Sequence, residues 1–362
     1  MKYKPNWDAA KERLTALWAG RYLDRPCIAV TAPAPPPDDS TPEWLRNGFL
    51  PIAPPKDAEE QWLGIDYLLR AIPRRLATTY WGGEAIPSYL LMSGWLFCQG
   101  CTPSFYENTI WLEPVAIDWD HPPTFSLDWQ DPWIQRVMAL YQAVLQLAGW
   151  DDFLVGVPAI LPGNDILAAV LGGDEFLINL LDRPEWMRQS IIQVAENQIA
   201  AIKHCQALAS THAFPYGNAG WMTFWAPEPY MATQSDVSCM LSAEMFDEFI
   251  LPELDLLGRE FGGMWYHLDG SKALQHLPRL LSLPYLRVIQ YVPEPFVPWN
   301  GPEWIDLYRT IQQAGKIVHV TVEAKDVEPL VRALDPGLLC LDTWCDSARE
   351  AEELLGRCDA VG

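Results

Sequence analysis

His267 and Asp269 stand two residues apart in the run Trp265-Tyr266-His267-Leu268-Asp269-Gly270. In an extended chain alternate side chains share a face, so the imidazole and the carboxylate emerge together, and Gly270 lets the backbone turn at once. Such a pair can ligate a metal or exchange a proton. The plainer alternative, of equal weight, is a core histidine beside an aspartate that caps the next helix. Cys345, in Leu341-Asp342-Thr343-Trp344-Cys345, would complete a metal set of His267, Asp269 and Cys345, although a single buried cysteine is more often inert. Glu323 closes the run Ile317–Glu323 and is the candidate for handling a proton, while His319 in the same run reads as a core residue. Tyr216, in Ala213-Phe214-Pro215-Tyr216-Gly217-Asn218, is a second proton donor, and packing with a turn explains it equally well. Asp236, a catalytic candidate, and Gln234 belong to a polar run expected to be a loop over the pocket, and Ser242 caps the helix after it. Cys98 and Cys101 form a C-x-x-C without a second pair, and no redox role is expected.

Eighteen tryptophans are a heavy load, and for any one of them core filling is the commoner role. Trp44, Trp81, Trp95, Trp221, Trp225 and Trp299 fall near expected loops. A pocket walled by Trp95, Trp221 and Trp225, with Gln234 and Gln290 as polar contacts, would suit a methylated ammonium or a sugar face.

Elements that could hold these residues alternate along the chain. Helical periodicity marks 7–20, 131–148, 184–210, 242–262, 271–282, 302–314, 325–334 and 346–357. Short apolar runs precede many of them, at Cys27–Thr31, Phe153–Val157, Ala213–Tyr216, Met264–Leu268, Leu286–Tyr291, Ile317–Val322 and Leu338–Thr343. They are apolar on both faces, as strands of a buried parallel sheet are, and an eighth is expected within 84–117. The Pro-rich stretch 33–62 reads as a long loop excursion over one face. Strand–helix alternation without a glycine-rich nucleotide fingerprint favours a single-domain (β/α)8 TIM barrel over a doubly wound sheet. In a barrel the reacting groups sit at the C-terminal ends of the strands.

Composition narrows the partners. Against 25 Lys and Arg stand 47 Asp and Glu, a net charge of −22 over 362 residues. That balance excludes nucleic acid and anionic membrane surfaces as natural ligands and leaves neutral or cationic small molecules. No apolar run of about 18 residues could span a bilayer. Eight scattered cysteines and an N-terminus without an apolar core point to a reducing cytoplasm.

Five segments resemble the uroporphyrinogen decarboxylase superfamily, which includes cobamide-dependent methyltransferases. They are Asp165–Glu185, Gln234–Pro252, Tyr266–Gly270, Leu286–Pro295 and Leu341–Leu355. The resemblance is strongest over 81–362, with 1–80 supplying an N-terminal helix, the first strand and the Pro-rich loop. In the methyltransferase branch a His-x-Cys-Gly strand end and a later cysteine hold zinc. Here His267 takes the His place, Asp269 replaces the first cysteine, and Cys345 matches the later one. The resemblance thus implies a modified site that zinc accepts, with the metal's identity left open. It also implies a corrinoid carried on a separate partner protein, since no D-x-H-x-x-G signature occurs here. The decarboxylase branch uses an arginine-rich N-terminal segment that this chain lacks.

The leading expectation is metal-assisted methyl transfer or demethylation on a small molecule, with a homodimer as the assembly. One alternative is a metal-free decarboxylase or lyase acting on a small acid through His267 and Asp269. The other is a non-catalytic small-molecule binder built on the tryptophans.

Overall fold

A computed structural model describes residues 1–98, 100–210, 212 and 224–359. Eleven strands run β1 Cys27–Pro33, β2 Thr79–Gly83, β3 Ser88–Tyr89, β4 Thr102–Phe105, β5 Ile110–Glu113, β6 Leu154–Val155, β7 Met231–Gln234, β8 Met264–Asp269, β9 Leu286–Val292, β10 Ile317–Thr321 and β11 Leu339–Trp344. Seven form one sheet in the order β2-β1-β11-β10-β9-β8-β7, parallel throughout except for β2, which lies antiparallel on the outer edge of β1. A parallel β3–β6 pair and an antiparallel β4–β5 pair stand apart.

Strand–helix alternation thus appears as expected in a mixed α/β domain with a parallel sheet. The closed ring does not: among the described residues no ladder joins β3 to β1 or β6 to β7. The cause is local, because β2 occupies the free edge of β1, and β3 and β6 are two residues long. Side chains nevertheless draw the pieces round. Trp7, Leu14 and Trp18 of the helix Trp7–Trp18 share one apolar cluster with Cys27, Leu154, Ala232, Trp265, Val288, Ile317 and Cys340. Those positions come from β1, β6, β7, β8, β9, β10 and β11. They define a common inner face, plugged at the N-terminal strand ends.

Other expectations shift by element. Three short strands, β3, β4 and β5, fall within 84–117 where an eighth was expected, and among the described residues none of them joins the large sheet. Gln234, expected in a loop, instead ends the strand Met231–Gln234, which pairs with the free edge of β8 and whose residues are all buried. The expected strand Ala213–Tyr216 lies outside the described residues. The stretch 33–62 carries short helices at Glu43–Gly48 and Ala58–Leu63, the second capped by Asp57 accepting the Glu60 amide at 2.9 Å. Ser242 caps its helix as expected, accepting the Met245 amide at 3.2 Å. No helix among the described residues is long and apolar enough to cross a membrane.

Candidate functional site

Strand register assembles the site. Residues paired across a parallel sheet share a face, and one row runs Gln234–His267–Gln290–His319–Cys340–Cys27 across β7, β8, β9, β10, β11 and β1. Cys27 and Cys340 belong to the inner cluster, so the whole row faces inward. Two residues further along, on the same face, come Asp269, Val292, Thr321 and Asp342. The inner face therefore changes from apolar to polar toward the C-terminal strand ends.

The polar groups are paired with one another. Gln290 Oε1 accepts from His267 Nδ1 and so fixes the orientation of the ring. Gln234 Nε2 donates to Asp165 Oδ2 at 2.8 Å, and the Asp236 amide donates to Asp165 Oδ1 at 3.0 Å. Ser235 Oγ meets Asn164 Oδ1 at 2.8 Å. Asn164 and Asp165 begin the helix Gly163–Leu171 that follows β6, so these bonds join β6 to β7 where, among the described residues, no backbone ladder does. Behind them, buried Glu253 accepts the amides of Gly163 and Asn164 and the Asn164 side chain, acting as a remote cap for that helix.

Burial and like charge set the protonation pattern. Burial, then the neighbouring Asp236 charge, pushes the Asp165 carboxyl well above the usual range. Asp236 is raised by burial and by Asp269, with His267 and Gln234 opposing the shift. The thiol of Cys239 is raised by burial, then by Asp269 and Asp236. Asp236, His267, Asp269 and Cys239 thus feel one another at the open strand ends. A cleft of about 530 Å³ beside them is lined by Cys239, Asp269, Lys272, Glu294 and Trp299 among others. Glu294 accepts the Ser271 amide at 2.6 Å and ties the loop after β9 to the turn after β8.

Several expected site residues lie elsewhere. Cys345 follows β11 on the opposite parity from Asp342 and feels Glu350, Arg357 and Asp346, so it faces the helix Ala348–Asp359. The set His267, Asp269 and Cys345 accordingly does not converge to ligand distance; among the described residues the group that does is His319, Cys340 and Asp342. Glu323 is exposed and paired with Lys325 at 2.6 Å, next to the helix it precedes. Trp225 is buried in the plug, edge-on to Trp7 at 5.8 Å, which removes it from any pocket wall. Trp95 is half-buried in the 3-10 turn Met92–Leu96, its indole N–H without a partner. Tyr216 and Trp221 lie outside the described residues. Cys98 and Cys101 are buried free thiols, raised to about 12 and about 11 by burial, and so unreactive.

No protein-family model matches the sequence, and no curated protein matches it either. A solved structure does. A methyltransferase from Methanosarcina mazei superposes with a TM-score of 0.60 over 97% of this chain and 98% of its own, at 13% sequence identity. The likeness is one of fold.

Asp165, Asn164, Glu253 and Asp342 escaped sequence reading. Asp342 had a signal in Leu339-Cys340-Leu341-Asp342, where a charge interrupts an apolar strand on the inner parity. Asp165 and Glu253 had none, because each is one acid among many on a helix.

Proposed function

We propose that this protein moves a methyl group onto or off a small molecule at the C-terminal strand ends, with His267 as the proton-handling group. The observation that carries the reading is the His267–Gln290 pair on an otherwise acidic inner rim. When a heteroatom X–H attacks a methyl donor CH3–Y, the X–CH3 bond forms, the CH3–Y bond breaks, Y leaves with the bonding pair, and the X–H proton needs an acceptor. His267, on the inner rim with Asp236 and Asp269 and with its ring oriented by Gln290, is the acceptor proposed. Asp236 and Asp269 then stabilise the imidazolium that results. The name of the structural neighbour supports methyl transfer as the reaction class.

Zinc is not part of this mechanism. The donors of His267, Asp269 and Cys345 do not meet, and a zinc ion needs three or four at about 2.0–2.3 Å. A corrinoid carried on a separate protein would supply the methyl group, and His267 with Asp236 and Asp269 would handle the acceptor's proton. The acidic rim disfavours a carboxylate substrate, and Trp225 is lost to the binder alternative.

The test is methyl transfer from free methylcobalamin to a panel of small thiols and amines, followed by product mass. Turnover should fall by about 10²–10⁴ in His267→Ala, the usual worth of a positioned general base. Unchanged turnover in that variant, or no transfer to any acceptor, overturns the reading.

A further inference from the structure

Trp265 Nε1 donates to His319 Nδ1 at 3.1 Å, and His319 Nε2 lies 3.0 Å from Asp342 Oδ2. An indole nitrogen can only donate, so Nδ1 must present its lone pair. The hydrogen of the neutral ring then sits on Nε2 and points at the carboxylate. This chain of three is fixed by packing: Trp265 and His319 are fully buried, and the Phe224 ring lies 5.4 Å from the imidazole. Asp342, by contrast, keeps 23% of its side chain exposed.

The same geometry bears on the His319, Cys340 and Asp342 group, whose ligand atoms lie within 4.8 Å of one another. A metal there would need the Nε2 lone pair, and the Trp265 bond assigns that nitrogen a hydrogen. Cys340 is also poorly suited, its thiol pushed well above the usual range by burial and by Asp342. His319 and Asp342 are thus arranged with Trp265 as a hydrogen-bond relay ending in a part-exposed carboxylate, with the Cys340 thiol beside it.

We propose that Asp342 is a binding carboxylate for a substituted ammonium group of the substrate, with Trp344 as its aromatic wall and His319 as its positioning residue. Trp344 follows Asp342 by two residues on the same face of β11, about 7 Å along the strand, and is half exposed. A carboxylate supplies the opposite charge, and an indole face attracts alkylated ammonium without needing hydrogens to donate. The His319 N–H holds the carboxylate in one orientation. The inference rests on the proposed methyl transfer only for the role of the ligand as substrate, because binding is measured without turnover.

Tetramethylammonium chloride and uncharged tert-butanol are the probes, titrated calorimetrically into the full chain. Wild type should prefer the cation, and Asp342→Asn should weaken its binding by about tenfold or more, the scale of a desolvated cation contact. His319→Gln, which can still donate an N–H to Asp342, should retain binding; His319→Leu should lose it. Equal cation binding by wild type and Asp342→Asn overturns the proposal. If that variant does not fold, ¹⁵N spectra of wild type decide: His319 should be the Nε2–H tautomer, with or without added zinc. An Nδ1–H tautomer, or zinc retained by wild type and lost in Cys340→Ser, overturns it. Cation binding through Asp342 without methyl transfer to any acceptor would remove the reaction and leave this site standing. Transfer that depends on His267 but not on Asp342 would do the reverse.

Discussion

Glu253 shows how one buried charge can organise a site it does not enter. Its carboxylate is fully buried and accepts three N–H groups, yet burial outweighs those bonds and lifts its pKa to about 7. An unfolded glutamate titrates near ~4.3. Between those two values the folded chain holds a proton that the unfolded chain has released. Stability from this group therefore falls as pH rises from about 4.5 to 7, and is level above that. The full difference is roughly 4 kcal/mol. Other carboxylates titrate in the same range, so the comparison must be with Glu253→Gln. Urea denaturation at several pH values should show the variant losing up to one proton's worth of slope in that window. Parallel curves for the two proteins would mean that Glu253 is already ionised in the folded state.

At the scale of elements, the site depends on how closely two helices approach. The helix Gly163–Leu171 begins against Pro184–Ala209, and a Cβ on Gly163 would stand 2.5 Å from the Ile191 carbonyl oxygen and 2.9 Å from the Ala195 amide nitrogen. Both are backbone atoms, so neither can rotate away. Gly163→Ala should cost about 1–3 kcal/mol, as forced overpacking does. It should also shift Asn164 and Asp165, loosening Gln234 and Ser235. A thermal melt checks the first effect, and the amide resonances of Ser235 and Asp236 check the second. An unshifted melt would show that the helices can part freely.

Elements of this kind mark the limit of sequence reading. Alternation of apolar runs with helical periods identified β1, β8, β9, β10 and β11, because each is long and buried on both faces. It also put His267 and Asp269 on one face, since strand parity needs only the sequence. It did not find β7, which at four residues is too short for periodicity, nor the antiparallel β2, which keeps the ring open. His319 was assigned to the core, where it does lie. Its bond to Asp342 depends on the register between β10 and β11, which no single strand encodes. Cys345 was misplaced by one residue of parity, a small error that turns a thiol from the inner face to the helices.

The whole molecule is unevenly knit, and its opening should follow that grain. β8 and β9, both flanked by strands of the large sheet, share six registered pairs, whereas β3 and β6 share two. The β6 side reaches the sheet through side chains, chiefly Gln234 to Asp165 and Ser235 to Asn164, together with Leu154 in the inner cluster. Local openings run from nearly free to the cost of global unfolding, according to how much of the fold each one disturbs. The amides of Leu154 and Gly156, bonded to the Pro87 and Tyr89 carbonyls, should therefore exchange by a partial opening that leaves β8 and β9 intact. Tyr266 and Leu268 should exchange only with global unfolding. Native-state hydrogen exchange across a denaturant series separates the two, since a partial opening has the shallower dependence. Identical slopes for all four amides would mean that the side-chain bridges couple the halves as firmly as a closed ring of ladders.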